Sequence, residues 1–417
     1  MKECDVMETK RPTYRPPRPP SPKKPSNFVF WRRRLIVLVG VATLIVIFYL
    51  GITLVFALTN QSYGASASAR AAEWGRQHGF GGVVTWIENE YYSLNPPKKG
   101  GRPSLSAFGE GPIEVKTPAG APLPEPKTVP SPAGKNLKGE GVWHPAGRTT
   151  ITGIPAEYES FVRVDPVHTS FVAGLVWMDT KLLKAQLYSG SFIPGGGPFK
   201  YSAPITASAS KNLVAAFNAG FRMQDANGGY YTDGKTLYKL RNGAASVVIF
   251  KDGTMSVGQW GRDFVMTKQV ASVRQNLDLI VDNSKLARGL NDANSTKWGT
   301  VIGNSIYVWR SGIGELPDGA IVYAGGPSLS VKTLATILLN AGCVRAMELD
   351  INTDWVQFST FNGPLNTPVN GSNGKSLLAS MAETPSRYFA SWENRDFFTM
   401  TLQKKETVLT AKTTKKK

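Results

Sequence analysis

The sequence predicts an α+β protein, in which a mixed, largely antiparallel β-sheet domain with few helices is preceded by one transmembrane helix. Three observations support this fold class. Residues 35–58 contain no charged side chain, short alternating runs dominate residues 237–309, and residues 330–342 carry the pattern of one amphipathic helix. With 417 residues, of which 41% are hydrophobic and 19% charged, the chain can bury at least one core.

The uncharged run at residues 35–58 is long enough to cross a bilayer, because an apolar helix needs about 20 residues to do so. Arg32, Arg33 and Arg34 precede it, whereas residues 59–69 carry no positive charge. The positive-inside rule therefore predicts a single-pass protein of the cell membrane with residues 1–34 in the cytoplasm and the main domain outside. A cleaved signal peptide is the alternative, since residues 66–69 are small, but the apolar run exceeds the about 7–15 residues of a signal core.

Much of the formal net charge of +18 lies near the two ends of the chain. Residues 1–34 hold ten Lys and Arg against three acids, and residues 404–417 hold six Lys against one Glu. We therefore predict no nucleic-acid partner. The Pro- and Arg-rich stretch at residues 12–25 instead predicts either an extended, solvated segment or a peptide that docks a cytoplasmic partner.

Composition divides the rest of the chain into four parts. Residues 59–94 form a juxtamembrane segment with helical character that glycines interrupt, and residues 95–141 are a Pro/Gly-rich linker. Residues 142–395 are predicted to be the folded domain, and residues 396–417 a basic C-terminal tail.

Turn pairs and caps locate the elements of this domain. Asn242-Gly243 and Asp252-Gly253 separate runs at residues 237–241, 246–250 and 254–257, which predicts successive hairpins. Further strands are predicted at residues 277–281, 300–302 and 306–309. A helix is predicted to begin after Ser330 and to end at Gly342.

The residues that bind metals and cofactors are sparse. Cys4 and Cys343 lie on opposite sides of the membrane, and the three histidines are far apart in sequence, so we predict no disulfide and no metal site. The glycine runs at residues 195–197 and 325–326 lack the Lys and Ser/Thr of a phosphate-binding loop. We therefore predict no cofactor.

Residues 343–352 are predicted to form a strand that carries two carboxylates. Alternation would place Glu348, Asp350 and Asn352 on one face, with the first two Cα atoms about 6.6 Å apart. Such a pair suits glycoside hydrolysis, in which one carboxyl acts as acid or base and the other attacks or stabilises. The alternative is a solvated strand face, or a carboxylate paired with Arg345 or Arg222.

Four motifs, in order across residues 142–395, resemble the phosphodiester glycosidase family. They lie at residues 217–221, 230–235, 298–303 and 346–350. The resemblance implies hydrolysis of the bond between a sugar's anomeric carbon and a phosphate. Its substrate would be a glycosyl phosphate or an anionic cell-envelope glycopolymer.

The resemblance also guides the assignment of roles. Asp350 is expected to be the catalytic carboxylate and Glu348 its partner acid or base. Arg222 is expected to grip the phosphate, because a guanidinium fork matches phosphate oxygens. The remaining substrate-binding residues are expected to be Asn218, which would hold sugar hydroxyls, Gly220, Asn352 and Asp233, of which Asp233 belongs to an Asp-Gly pair that is first of all a turn.

Two departures from the family pattern leave other functions open. The family's Asn-Gly-Gly-Phe run is Asn218-Ala219-Gly220-Phe221 here, and its Leu-Asp-Gly-Gly-Gly-Ser run is the sequence LDINTD at residues 349–354. A glycine-rich turn lets backbone N–H groups approach a phosphate, and LDINTD lacks one. A catalytically inactive glycopolymer-binding protein and an envelope scaffold that works through its Pro-rich tail are therefore the alternatives to a hydrolase.

Overall fold

The computed structural model describes residues 27–109, 123–290, 296–299 and 307–403. The Pro-rich leader, the strand predicted at residues 300–302, the first residue of the strand predicted at 306–309, and residues 404–417 lie outside this range. The chain divides into two units, residues 1–56 and 57–417. The predicted fold class is confirmed, with four α-helices and three antiparallel sheets among the described residues.

The first unit contains most of helix α1, Asn27–Thr59. Its stretch Phe30–Thr59 is long and apolar enough to cross a membrane. The helix is longer than the uncharged run because Trp31 and the three arginines after it continue the helical backbone.

Two helices, α2 at Ala67–Gln77 and α3 at Gly81–Leu94, occupy the juxtamembrane segment. The Ser66 hydroxyl caps α2 by accepting a hydrogen bond from the Ala69 N–H. The chain reverses at Gly79, whose φ of +84° suits glycine. Gly75 lets the helices pack closely, because a Cβ there would lie 2.8 Å from Val84 Cγ2. We refer to α2 and α3 together as the helical hairpin.

The part of the chain that the structure describes also contains helix α4, Val331–Asn340, eighteen strands and several short 3₁₀ helices. As predicted, Ser330 caps α4 by accepting from the Thr333 N–H, and Gly342 follows it with a φ of +98°. In chain order the strands are β1 His144–Thr149, β2 Pro155–Arg163, β3 Val172–Met178, β4 Leu183–Tyr188, β5 Leu213–Asn218, β6 Tyr230–Thr232, β7 Lys235–Tyr238, β8 Ala245–Phe250, β9 Met255–Gln259, β10 Val270–Gln275, β11 Leu279–Asp282, β12 Lys285–Leu286, β13 Val308–Glu315, β14 Ile321–Leu329, β15 Arg345–Ile351, β16 Phe358–Phe361, β17 Gly374–Ser376 and β18 Phe397–Leu402.

The strands form three sheets. The first has the order β1-β2-β3-β14-β13-β15-β11-β12, the second β17-β16-β5-β18-β4, and the third β7-β6-β10-β8-β9. Asp252-Gly253 joins the paired strands β8 and β9, as predicted. The hairpin predicted at Asn242-Gly243 is wrong, because β7 pairs with β6 whereas β8 pairs with β9 and β10.

The main core lies between the first and second sheets. Phe217 of β5 stacks on Phe358 of β16 with ring centroids 5.3 Å apart, and Tyr323 of β14 packs against both rings. Leu334 and Leu338 of α4 belong to a second cluster with Ala346 of β15, which places α4 on the other face of the first sheet. Strand β15 therefore has buried apolar contacts on both faces.

Two of the segment assignments made from composition need correction. The predicted linker at residues 95–141 contributes Phe108 and Val129, both fully buried, to the two clusters. The predicted tail at residues 396–417 contains β18, which pairs with β4 on one side and β5 on the other. Proline and glycine content indicated an extended linker, but a few large apolar side chains are enough to anchor such a segment.

Candidate functional site

A cleft of about 180 Å³ lies at the carboxyl end of β15. It is bounded by the helical hairpin, the loop after β5, the turn after β15, and Arg395, which lies two residues before β18. The lining residues are Glu73, Arg76, Thr85, Phe221, Arg222, Asp225, Asp350, Ile351, Asn352, Trp355 and Arg395.

A β-bulge shapes the end of β15. Gly312 of β13 pairs with Glu348, and Arg310 pairs with Ile351, so the single residue Ser311 lies opposite both Leu349 and Asp350. The Ser311 hydroxyl holds this irregularity by donating to the Asp350 carbonyl oxygen at 2.8 Å. Bulges of this kind redirect a side chain and interrupt the alternation of faces.

The bulge separates the two carboxylates. A Cβ on Gly312 would lie within 3.2 Å of Leu334 and 3.0 Å of Leu338 in α4. Because directly paired residues share a face, Glu348 lies on the α4 face of the sheet. The side chain of Asp350 instead reaches Arg395, next to the second sheet. The prediction that both acids project from one face is therefore wrong, because the extra residue resets the alternation.

Glu348 is a core residue and does not line the cleft. It is fully buried, and it accepts a hydrogen bond from Arg310 Nη1 at 2.5 Å. Burial raises the pKa of Glu348, and the charge of Arg310 partly offsets that rise. The alternative of a carboxylate paired with an arginine describes this residue, although the partner is Arg310 rather than Arg345 or Arg222.

Asp350 is buried but lines the cleft. Its Oδ2 accepts from Arg395 Nη2 at 2.8 Å, and its Oδ1 accepts from the Ile351 N–H at 2.9 Å. Burial raises the pKa of Asp350 to about 6, while the charges of Arg395 and Arg274 oppose the rise. A carboxyl group with such a pKa changes protonation state near neutral pH, which suits acid, base or nucleophilic roles.

Ion pairs between buried side chains surround Asp350. Arg274 Nε donates to Asp396 at 2.6 Å, and Arg387 binds Glu393 through two nitrogens. Asp396, Arg387 and Glu393 line a small cavity that also touches Asp350. This cluster was not predicted from the sequence, because the run from Glu393 to Asp396 resembles a polar loop at the end of the domain. The feature of the sequence that could have indicated the cluster is the high density of charged residues directly before an apolar strand.

Two predicted substrate-binding residues lie in the cleft with Asp350. Arg222 is 3.0 Å from Asp225 and 3.6 Å from Glu73, so two carboxylates already balance its charge. Asn352 has a φ of +96°, in the left-handed region that glycine and asparagine tolerate best. Asparagine thus keeps the turn at a position where the resembled family has glycine.

The other three lie elsewhere. Asn218 lines the small cavity behind Asp350, but its amide already binds Ala219, Ser311, Tyr323 and Gln357. Gly220 lets the Asn276 side chain approach, since a Cβ there would lie 3.0 Å from it. Asp233 has a φ of +49° in the turn between β6 and β7 and accepts from the Lys200 N–H in a separate cavity, in keeping with the turn interpretation.

The helical hairpin is an unpredicted wall of the cleft. Glu73 and Arg76 of α2 and Thr85 of α3 line it. The hairpin is tied internally by Arg76 and Glu88 at 2.5 Å. Among the residues that the structure describes, no group of three or more His, Cys, Asp or Glu is placed to hold a metal ion.

No family model and no curated protein matches this chain. Among solved structures, the zebrafish N-acetylglucosamine-1-phosphodiester α-N-acetylglucosaminidase catalytic domain, auto-inhibited by its pro-peptide, matches with a TM-score of 0.39 and 13% identity, covering 63% of this chain and 88% of that one.

Two further solved structures are similar at a lower level. A hypothetical protein from Synechocystis has a TM-score of 0.32 and 11% identity, covering 59% of this chain and 62% of its own. A putative exported protein from Burkholderia pseudomallei K96243 has a TM-score of 0.27 and 11% identity, covering 55% and 74%. Similarities of this size do not establish a family.

Proposed function

We propose that this chain is a membrane-anchored, extracytoplasmic hydrolase that cleaves the bond between a sugar's anomeric carbon and a phosphate. The substrate would be a glycosyl phosphodiester, for example in an anionic cell-envelope glycopolymer. The observation that carries the proposal is Asp350, a buried carboxyl group that lines a cleft and contacts the guanidinium group of Arg395. A carboxylate for the sugar next to cations for the phosphate is the combination that this reaction needs.

The proposed role of Asp350 is to stabilise the positive charge that develops at the anomeric carbon in the transition state. As the bond from the anomeric carbon to the phosphate oxygen breaks, its electron pair stays on the phosphate. Asp350 then stabilises or attacks the electron-poor carbon, and water supplies the new hydroxyl group. The products are a free sugar and a phosphomonoester. Phosphate leaves readily, so strong acid assistance is unnecessary, and Glu348 in the core is not needed as a partner.

Isotope labelling tests the bond that is cleaved. The full chain, in detergent, is incubated with a glycosyl phosphodiester in ¹⁸O-labelled water, and both products are weighed by mass spectrometry. The proposal expects the label on the sugar and none on the phosphomonoester. Label on the phosphate would instead show attack at phosphorus and would contradict the assignment of Asp350 to the anomeric carbon.

A catalytically inactive glycopolymer-binding protein is the second candidate. Arg222 is already bound by Asp225 and Glu73, and residues 351–354 replace a glycine-rich run with bulkier side chains. If the chain has this function, immobilised anionic glycopolymer should retain it, and no sugar should be released. Release that stops when Asp350 is replaced by Asn would exclude it.

Membrane anchoring and orientation belong to the same proposal. Helix α1 would span the membrane with its arginines on the cytoplasmic side. Protease added to intact spheroplasts should digest the domain that contains the cleft and spare the leader. Protection of that domain would contradict the orientation, and loss of function on deleting residues 12–25 alone would favour a scaffold.

A further inference from the structure

Arg395 has hydrogen-bonding capacity that the protein does not use. Its side chain is 9% exposed, and its Nη2 donates to Asp350. Its Nε and Nη1 are buried and have no hydrogen-bond partner. Buried N–H groups without partners are rare, because each one costs free energy. An acceptor that enters the cleft and reaches these groups would recover that energy.

The guanidinium group is also held in place. Its central carbon lies 4.4 Å from the centroid of the Trp355 ring, and both residues line the cleft. Stacking on an aromatic face and a hydrogen bond to Asp350 together restrict the plane of the group. The orientation of the guanidinium group is thus fixed before any ligand arrives, which reduces the entropy lost on binding.

The neighbouring arginines are engaged. Arg222 contacts Asp225 and Glu73 in the cleft. Behind Asp350, Arg274 binds Asp396, and Arg387 binds Glu393 and the Asp354 carbonyl oxygen. Of these four arginines, Arg395 alone has buried nitrogens without a partner.

We propose that Arg395, rather than Arg222, is the residue that binds the phosphate group of the substrate, with Trp355 as the platform that orients it. A phosphate offers several acceptor oxygens to the unused donors. Because Arg395 Nη2 donates to Asp350, the Asp350 carboxylate would lie beside the bound anion. The anomeric carbon attached to that phosphate would then lie next to Asp350. The inference rests on the proposed function for the identity of the substrate, but phosphate binding can be measured without turnover.

Inorganic phosphate is the probe. Thermal unfolding of the full chain in detergent, followed by tryptophan fluorescence over a phosphate titration, gives the half-saturating concentration. Arg395→Lys keeps the charge but loses the fork, and we expect it to weaken phosphate binding about tenfold or more. Arg222→Lys should keep the half-saturating concentration of the wild type. Arg262→Lys, in an ion pair with Asp282, controls for the general effect of this exchange.

Each outcome decides between the two arginines. Unchanged phosphate binding in Arg395→Lys, or a loss confined to Arg222→Lys, would overturn the proposal. If Arg395→Lys is unfolded at the start of the titration, Trp355→Phe replaces it, and we expect a smaller loss of phosphate binding. Where sugar release is also measured, an unchanged KM in Arg395→Lys would refute this inference and leave the hydrolase intact. Phosphate binding through Arg395 without any release would refute the hydrolase alone.

Discussion

The middle and the end of β15 carry the same kind of side chain in two different settings. Glu348 lies in the core against α4 and faces the buried Arg310. Asp350, two residues later, lines an open cleft and faces Arg395. One extra residue opposite Ser311 divides them. The difference shows that two carboxylates close together in a sequence do not necessarily share a site. Whether they do depends on how their strand pairs with its neighbour.

The comparison predicts opposite consequences for the two acids. A carboxylate in the core is expected to matter for folding, because its removal leaves a buried cation unpaired. A carboxylate in the cleft is expected to matter for chemistry, because functional groups are often maintained at a cost in stability.

The largest effect is expected for Glu348→Gln. Arg310 is 1% exposed, so losing its charged partner should destabilise the fold by about 3–5 kcal/mol. Denaturant unfolding followed by fluorescence measures the change. The double variant Glu348→Leu with Arg310→Leu is the control, since removing both charges should recover much of the stability. A single variant as stable as the wild type would refute the structural role.

Asp350→Asn should reduce sugar release about a hundredfold or more. It should lower the free energy of unfolding less than Glu348→Gln does. Arg395 keeps its contact with Trp355 and borders the cleft, whereas Arg310 is enclosed in the core. Release of sugar and the Tm are measured on the same preparation. Asp225→Asn, at a half-exposed carboxylate on the rim of the cleft, is the matched control. An active Asp350→Asn protein would end the catalytic assignment.

A pH profile sharpens the comparison further. Burial raises the pKa of Asp350 to about 6 from an ordinary value of 3.8. If the ionised form acts, kcat/KM should rise with pH and level off above about 6. Stability should change in the opposite sense: the folded state holds this proton more tightly than the unfolded state, so this contribution to stability is present below about pH 4 and is lost by about pH 6. A flat kcat/KM between pH 5 and 7 would contradict the assignment.

The smallest effect is expected for Ser311→Ala. The hydroxyl donates to the Asp350 carbonyl and accepts from Asn218 Nδ2 at 2.9 Å, so its loss should cost about 1 kcal/mol and reduce sugar release a few fold. Ser160→Ala is the matched control, because Ser160 is equally buried but its hydroxyl has no partner. Equal effects of the two variants would show that the bulge does not depend on the Ser311 hydroxyl.

Local signals in the sequence predicted the local parts of this structure. Ser330 and Gly342 delimited α4, and Asp252-Gly253 located a hairpin, because capping and turn formation depend on residues only a few positions apart. The existence of strand β15, and Asp350 near its end, followed from the same kind of pattern.

The features that depend on distant pairing were not predictable in this way. The bulge at Asp350 exists because Ser311 lies opposite two residues of β15. The alternation of residue types within β15 does not indicate this irregularity. Arg395 joins the cleft because β18 lies between β4 and β5, which no local pattern around it indicates. Phe108 is buried although Pro and Gly surround it.

The position of β18 also gives the fold an order of assembly. Strands β4 and β5 are successive in sequence, but β18 lies between them in their sheet. Strand β18 is the last described strand of the domain, far from both in sequence. Joining such distant segments costs loop entropy before any contact is gained, which makes their pairing slow. Arg395 and Asp396 directly precede β18 and arrive with it. The cleft therefore receives Arg395 only when the second sheet closes, and a chain that is still folding would lack the cation that faces Asp350.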